Sequence, residues 1–409
     1  MTLIRLPLSF LLVSLGGALA LACTPGSLKL GDDTATSDSD SDSDSDSGTD
    51  SDSDSGTDTE DLPDGGSVAW STMVDDAGFT VLALADDGTF YVAGGQSFAP
   101  DGDFSLYTQL WFARFAADGS MLWQILEPVD MLEPPRFVTG LDIAPDGGLL
   151  ATIRDESAVE GGDNALRKFA PDGTTLWKTT LPGQANAVAA TLDGGAVVGG
   201  SLPAGDHGVA WAQRLDGEGT PGWGRTWGDP ELDVNAVQAL AIDGDTVVVG
   251  GRLGIEPMTQ ESLGWLHRAE LASGEPVWDR VVTAGLAADA ITDLAITNDG
   301  QIIAGGVEDA LFVRGFDAQG LDLWSVAHGF DLSALGVAGD GSFVVIGNSY
   351  ADLPATSARI IRYAADQTPQ WAVELPPCEF GEAAAITPGG QVLTLAKCGA
   401  ALGINLLEP

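Results

Sequence analysis

From residue 66 onward the apolar positions come in short runs, broken at regular intervals by glycine-containing turns. The stretch TGLDIAPDGGLLATI (139–153) is an apolar run, a turn and a second apolar run, a pattern that predicts a β-hairpin. The same pattern recurs at 80–95, 186–200, 236–251, 291–306, 333–347 and 382–396, giving seven copies. The Asp-Gly or Gly-Gly pair in most of them is what a tight hairpin turn requires.

A second hairpin follows the first in six of these units. LWFARFAADGSMLWQI (110–125) has relatives that place Trp at 123, 177, 223, 278, 324 and 371, about 50 residues apart. Two hairpins per unit predict four-stranded sheets, with strands A to D in order. Such a sheet has two apolar faces, and stacking copies around an axis covers both. The expected fold is therefore all-β, a seven-bladed β-propeller of four-stranded blades. A TIM barrel would need helices, and a sandwich would not need the repeat. The ends fit closure. ALGINLLEP, at the end of the chain, aligns with a strand C that has no D behind it. PDGGSVAWSTM aligns with a strand D that has no C before it. Residues 66–74 should thus lie outermost on blade seven, beside 401–408.

The unit resembles WD-repeat propellers in strand order, in the Asp-Gly turn between A and B, and in this clasp. It lacks their Gly-His pair and Trp-Asp ending. The strand-D Trp and its Asp-Gly turn also resemble the pyrroloquinoline-quinone-type propeller repeats of bacterial lipoproteins, including the outer-membrane-assembly scaffold. The resemblance spans 66–409. It implies an architecture rather than an activity, because propellers carry many unrelated functions.

Composition changes the picture at the N-terminus. The chain has 409 residues, with 17 Lys and Arg against 60 Asp and Glu, for a net charge of −43. Such a chain is repelled by nucleic acid, so no nucleic-acid partner is expected. Fourteen acids and no base lie between Asp32 and Asp64. Alternating Ser and Asp bury nothing and repel one another, so residues 23–65 read as a disordered, extended tether. As a flexible coil it would span roughly 35–40 Å. Its Gly residues are too sparse for a repeated calcium loop.

The first 22 residues resemble a bacterial lipoprotein signal peptide, with Arg5, an apolar run and Ala20-Leu21-Ala22 before Cys23. Ala20 stands where that family usually has Leu. The resemblance implies lipidation at Cys23, and Thr24 after it favours the outer membrane, facing periplasm or cell surface. The expected domains are therefore a signal peptide (1–22), the tether (23–65) and the propeller (66–409), on a membrane-anchored monomer. Cys378 and Cys398 remain, each ten residues from Pro388 in the turn TPGGQ. Partners across a hairpin are equidistant from its turn, so an exported chain is expected to join them as a disulfide.

Candidate chemistry is sparse. The Gly pairs after strand B are expected to permit close backbone approach, and the Trp ladder to pack blades. Arg114, Arg167, Arg214, Arg268, Arg314 and Arg362 recur in strand C and read as surface ion pairs. The A–B and C–D connections are nearly all tight turns on one face. The longer D–A and B–C connections share the other, and binding residues favour variable loops on a rigid scaffold. The candidate binding residues there are Asp101, Asp103, Phe104, Tyr107, Asp130, Glu133, Asp229, Glu231 and Asp233. Acids beside aromatics suit a basic segment, a cation or a glycan. His207, His267 and His328 show no metal-binding frame, and there is no Gly-x-Ser-x-Gly elbow and no vicinal Cys pair of the quinone dehydrogenases. No catalytic residue, metal or cofactor is assigned. The expected function is a non-enzymatic binding or scaffold propeller with a protein or glycan partner. The alternative is a hydrolase or lyase acting on a polysaccharide or other polymer, with paired carboxylates at the channel mouth.

Replacing Cys23 with Ala is expected to move the protein from the membrane to the soluble fraction. Fractionation followed by immunoblotting reads the outcome, and unchanged membrane association would refute lipidation at Cys23.

Overall fold

Every sheet among the described residues holds four antiparallel strands. The computed structural model describes residues 65–98, 107–127, 136–155, 164–204, 207–229, 231–232, 235–255, 261–283, 289–308, 310–328, 331–349 and 357–409, all within the unit Asp58–Pro409. Strand β1 (Val68–Val74) comes first. Blade one is β2 (Ala77–Leu84), β3 (Phe90–Phe98), β4 (Tyr107–Phe115) and β5 (Met121–Leu126). Blade two is β6 (Arg136–Ile143), β7 (Leu149–Asp155), β8 (Ala165–Phe169) and β9 (Thr175–Thr180). Blade three is β10 (Gln184–Ala190), β11 (Ala196–Ala204), β12 (His207–Leu215) and β13 (Pro221–Trp227). Blade four is β14 (Ala236–Asp243), β15 (Thr246–Gly254), β16 (Ser262–Glu270) and β17 (Pro276–Val281). Blade five is β18 (Ala290–Ile296), β19 (Ile302–Glu308), β20 (Ala310–Phe316) and β21 (Asp322–His328). Blade six is β22 (Asp331–Val337), β23 (Phe343–Ser349), β24 (Ser357–Tyr363) and β25 (Pro369–Glu374). Blade seven is β26 (Phe380–Ile386), β27 (Val392–Cys398) and β28 (Ala401–Leu407), with β1 as its fourth strand.

Each first strand packs on the first strand of the next blade, and β26 packs on β2, which closes the ring. The seven-bladed propeller read from the repeats is the observed fold. The clasp is also as expected. Strand β1 pairs antiparallel with β28 from Val74↔Leu402 to Val68↔Leu407, and Glu408 N–H donates to Ser67 O at 2.9 Å.

The core is divided among the blade interfaces. Seven apolar clusters each join two neighbouring blades, from Val92 and Leu395 between blades one and seven to Val313 and Val345 between five and six. Successive side chains of one strand therefore go to different clusters, as Val197 and Val198 do. That is why the second strands read as nearly continuous apolar runs. Outermost strands such as β5, β9 and β17 alternate between exposed and half-buried residues.

The Gly pairs do permit close approach. A Cβ at Gly199 would come within 2.6 Å of Val237 in the next blade, and one at Gly200 within 1.9 Å of the Gln184 carbonyl oxygen. The approach at Gly200 accompanies a bulge in β10 between Ala185 and Ala187, and every first strand has a bulge at the matching step.

The Trp ladder joins blades through hydrogen bonds as well as packing. The indole N–H groups of Trp123, Trp177, Trp223 and Trp278 donate to the carbonyls of Pro171, Gly217, Leu271 and Ala318 in the next blade, at 2.8–3.0 Å. The turn glycine of that next blade lies on the indole. A Cβ at Gly173, which has φ +88°, would meet Trp123 at 3.2 Å. Gly65 and Gly66 cover Trp371 in the same way, so the N-terminal segment completes this contact as well as the sheet.

The reading of the strand-C cations as surface ion pairs holds in part. Arg167, Arg214 and Arg268 do pair, with Glu127, Asp193 and Asp243, but the set stands at the blade interfaces. Arg114, Lys168, Arg268 and Arg362 each lie opposite the Trp of their own blade, and Arg214 falls at the same step beside the β12–β13 bulge. Their apolar stems pack between blades while their heads reach turn atoms. Arg114 Nη1 donates to Pro171 O at 2.9 Å, Lys168 Nζ to Gly194 O at 3.0 Å and Arg268 Nη1 to Ala318 O at 3.2 Å, each in the next blade. Arg362 donates to Gly390 O likewise. Arg167 and Arg314 stand one residue earlier and face the preceding blade. Arg167 pairs with Glu127, and Arg314 donates to Val282 O at 2.8 Å. Counting one Arg per unit merged two positions that point opposite ways.

Starting the chain at Asp75 removes β1 and leaves β28 as an open edge. That form is expected to melt well below one starting at Asp61, or to aggregate. Thermal melting of the two forms side by side checks it, and equal melting would contradict the clasp.

Candidate functional site

The face formed by the D–A and B–C connections was expected to bind. Asp101, Asp103, Phe104, Asp130, Glu133 and Asp233 lie outside the described residues. Tyr107 opens β4, opposite Phe98. Asp229 and Glu231 sit together between β13 and β14. There Asp229 Oδ1 accepts the Glu231 N–H at 2.9 Å, which fixes the start of the connection, while the Glu231 side chain stays exposed.

Asn235 anchors that connection, and the sequence reading missed it. It is buried, and its Nδ2 donates to Gly208 O, Asp229 O and Leu232 O at 2.9–3.0 Å. Its Oδ1 accepts the Gly254 N–H at 3.0 Å. One amide thus ties the connection to blade three and to β15 of blade four. Asn164 and Asn348 do related work, accepting from Asp155 N–H and Gly381 N–H at 3.1 Å. These asparagines hold no common place in the repeat, so periodicity gave no signal for them. Asn235 could have been noticed as a lone polar residue just before the apolar run of β14.

The disulfide lies on this face. Cys378, in the connection between blades six and seven, is bonded to Cys398 at the end of β27, as expected. Cys378 O also accepts the Ala358 N–H of β24 at 2.9 Å, so the same residue holds blade six. Gly403 makes room for the pair, since a Cβ there would come within 2.8 Å of Cys398 Sγ.

The opposite face is made of turns that cap themselves. Asp87, Asp118, Asp172 and Asp366 each accept the N–H two residues on, at 2.9–3.1 Å. The hydroxyl of that same Thr or Ser, with its N–H, holds the Asp87, Asp118 and Asp366 carboxyls below the usual range, and for Asp172 the N–H leads. These acids therefore stay ionised and serve the turns.

The inner strands hold two half-buried carboxylates with raised pKa values, Asp142 on β6 and Asp293 on β18. Burial pushes Asp142 up and Asp293 up to about 6, although two backbone N–H groups hold each down. Asp142 accepts from Ile143 N–H at 2.7 Å and, across the blade boundary, from Ala190 N–H at 2.6 Å. Asp293 accepts from Leu294 N–H and from Leu335 N–H of blade six, both at 2.9 Å. Glu382 of blade seven likewise accepts from Thr80 N–H of blade one at 2.9 Å. These carboxylates fasten neighbouring inner strands. Asp142 and Asp293 stand on blades two and five, which are not adjacent.

The histidines stay apart. His328 is buried edge-on against Tyr363, and burial pushes its pKa down to about 4, so it is neutral at pH 7. His267 packs against both Trp227 and Trp265, with Nδ1 2.5 Å from Asp279 Oδ1. His207 opens β12. Among the described residues no three His, Cys, Asp or Glu side chains cluster as metal ligands would.

Two solved structures show the fold from outside, and a third is weakly similar. The chain is similar to the WD40 β-propeller domain of Doa1, at 12% identity over 82% of this chain and 97% of that one, with a TM-score of 0.51. It is similar to the β-propeller domain of Cps50 (Swd1) from Myceliophteria thermophila, at 10% identity over 84% and 99%, with a TM-score of 0.57. A third is BamB from Moraxella catarrhalis, at 15% identity over 83% and 99%, with a TM-score of 0.45. No family model and no curated protein matches the sequence. At these identities the likeness establishes the propeller alone.

The raised pKa of Asp293 has a definite sign. The group holds its proton more tightly folded than unfolded, so its contribution to stability is full below the ordinary value of 3.8 and is lost as pH rises through about 6. The melting advantage of the wild type over Asp293→Asn is expected to shrink by a few degrees between about pH 5 and about pH 7.5. Melting curves of both proteins across that range check it, and a constant difference would refute it.

Proposed function

We propose that this seven-bladed β-propeller is a non-enzymatic binding or scaffold protein, displayed at the outer membrane by a lipid on Cys23. The observation that carries the reading is the asymmetry of the two faces. On one, short turns use their own acids as caps. On the other lie the longer connections, anchored by Asn235 and by the disulfide, with the Glu231 carboxylate free. The acidic tether would hold the propeller away from the bilayer, which suits a macromolecular partner. The charge of the chain favours a basic one.

A polymer-cleaving enzyme is the weaker reading. Its carboxylates should converge on substrate, yet Asp142 and Asp293 hydrogen-bond backbone N–H groups with both oxygens.

Reversing the charge of Asp101, Asp103, Glu231 and Asp233 together is expected to abolish capture of the basic partner in a pull-down while leaving Tm nearly unchanged. With the wild type, association should slow as salt rises. Capture that survives the four reversals would place the binding surface elsewhere.

A further inference from the structure

The interface that closes the ring lacks a part found at most others. In blades one, two, three, four and six the residue beside the strand-D Trp is Arg114, Lys168, Arg214, Arg268 or Arg362. Blade five has Gly315 there, and the indole of Trp324 lies over it and stacks on Phe343, with ring centroids 5.6 Å apart. Blade seven has Leu406 opposite Trp70. Leu406 can neither reach the next turn nor let the indole fold over it. A cleft of about 200 Å³ opens at this step, between Trp70 and Leu406 of blade seven and Phe90 and Ala117 of blade one.

The chemistry of the walls matches what the other interfaces place here. Ala117 occupies the turn position of Pro171 and Ala318, whose carbonyls each accept two donors from the preceding blade, an indole N–H and a guanidinium. At this interface neither donor arrives. Trp70 Nε1 is buried without a hydrogen-bond partner, and the strand position opposite Trp70, which carries a cation in five other blades, is Leu406. The first turn of blade seven, TPGGQ, has no acid, but Asp86 and Asp87 of blade one line the cleft and both are exposed. The walls thus offer apolar sides for a stem, an indole face, a backbone carbonyl and carboxylates at the rim.

We propose that this cleft binds an arginine side chain presented by a partner protein, which completes from outside the contact that Arg114 and Arg268 make from within. The site lies on the tight-turn face, so it is separate from the loop face. It suits one protruding residue rather than a broad surface.

The test titrates the full-length protein with a capped peptide carrying one arginine, followed by calorimetry, and repeats it with citrulline in place of arginine. Citrulline keeps the shape and loses the charge. The arginine peptide is expected to bind and the citrulline peptide to bind at least tenfold more weakly. Leu406→Arg supplies the cation from within and is expected to eliminate peptide binding. Because Leu406 is buried, Asp86→Lys serves as a second variant at an exposed position, and it too is expected to lose binding with Tm unchanged. Equal affinity for the two peptides, or undiminished binding by Leu406→Arg or Asp86→Lys, would overturn the proposal. So would a rise in peptide affinity on replacing Lys29, the one Lys or Arg in the sequence of residues 23–65, by Ala, which would assign the cleft to the chain's own N-terminal segment. The four charge reversals on the loop face are expected to leave this binding intact, so the two sites fail or stand separately.

Discussion

A four-stranded blade that is apolar on both faces cannot stand alone, and the rest of the molecule follows from covering it. Each interface must bury two sheet surfaces that meet at the twist angle of a propeller. The small residues and Gly pairs near the axis let the inner strands close up, and the indoles fill the wider gap at the rim. For Trp123, Trp177, Trp223 and Trp278 the Trp–glycine contact is the outermost layer of this packing, and it combines apolar burial with a hydrogen bond to a turn carbonyl of the next blade. The blade that closes the ring obeys the same demand with parts from both ends of the chain. Gly65 and Gly66 cover Trp371, Trp70 stacks on Phe90 at 6.1 Å, and β1 supplies the fourth strand.

Polar groups near the axis serve the same end. The inner strands are edge strands, so some of their N–H groups have no ladder partner. Asp142, Asp293 and Glu382 accept from such groups in the following blade. A carboxylate in that place is costly when ionised, and the raised pKa values of Asp142 and Asp293 register the cost. Perturbed acids in a channel commonly mark a catalytic site. Here burial raises both values, and the backbone N–H groups that occupy both oxygens give each acid a structural task, so attention shifts to the surfaces.

The two faces divide the acids by task. On the turn face the first acid of a turn is held by the N–H two residues later, so many of the charges are caps before they are recognition elements. On the loop face Asp229 does the same for its own connection, and Glu231 beside it remains exposed. The strand-C cations follow a similar rule. Read as one Arg per repeat they suggested surface pairs, but alternation along a strand sends neighbouring residues to opposite blades. Arg167 and Arg314 therefore face back while Lys168 faces forward.

The sequence by itself determined the strands, their grouping in fours, the number of blades and the closure by residues near 66–74. Turn chemistry and period-two burial are local, and they repeat seven times. The Cys378–Cys398 pairing was legible for the same reason, because distance from a hairpin turn is local arithmetic. What only the tertiary structure decided lies between blades. Which carbonyl an indole meets, which way a cation points and what Asn235 ties together depend on residues about 20 to 50 positions away. The contrast between Gly315 and Leu406 belongs to the same class. Both break the cation pattern in the sequence, but only packing shows that a bare glycine lets Trp324 fill the space while a leucine props a cleft open beside Trp70.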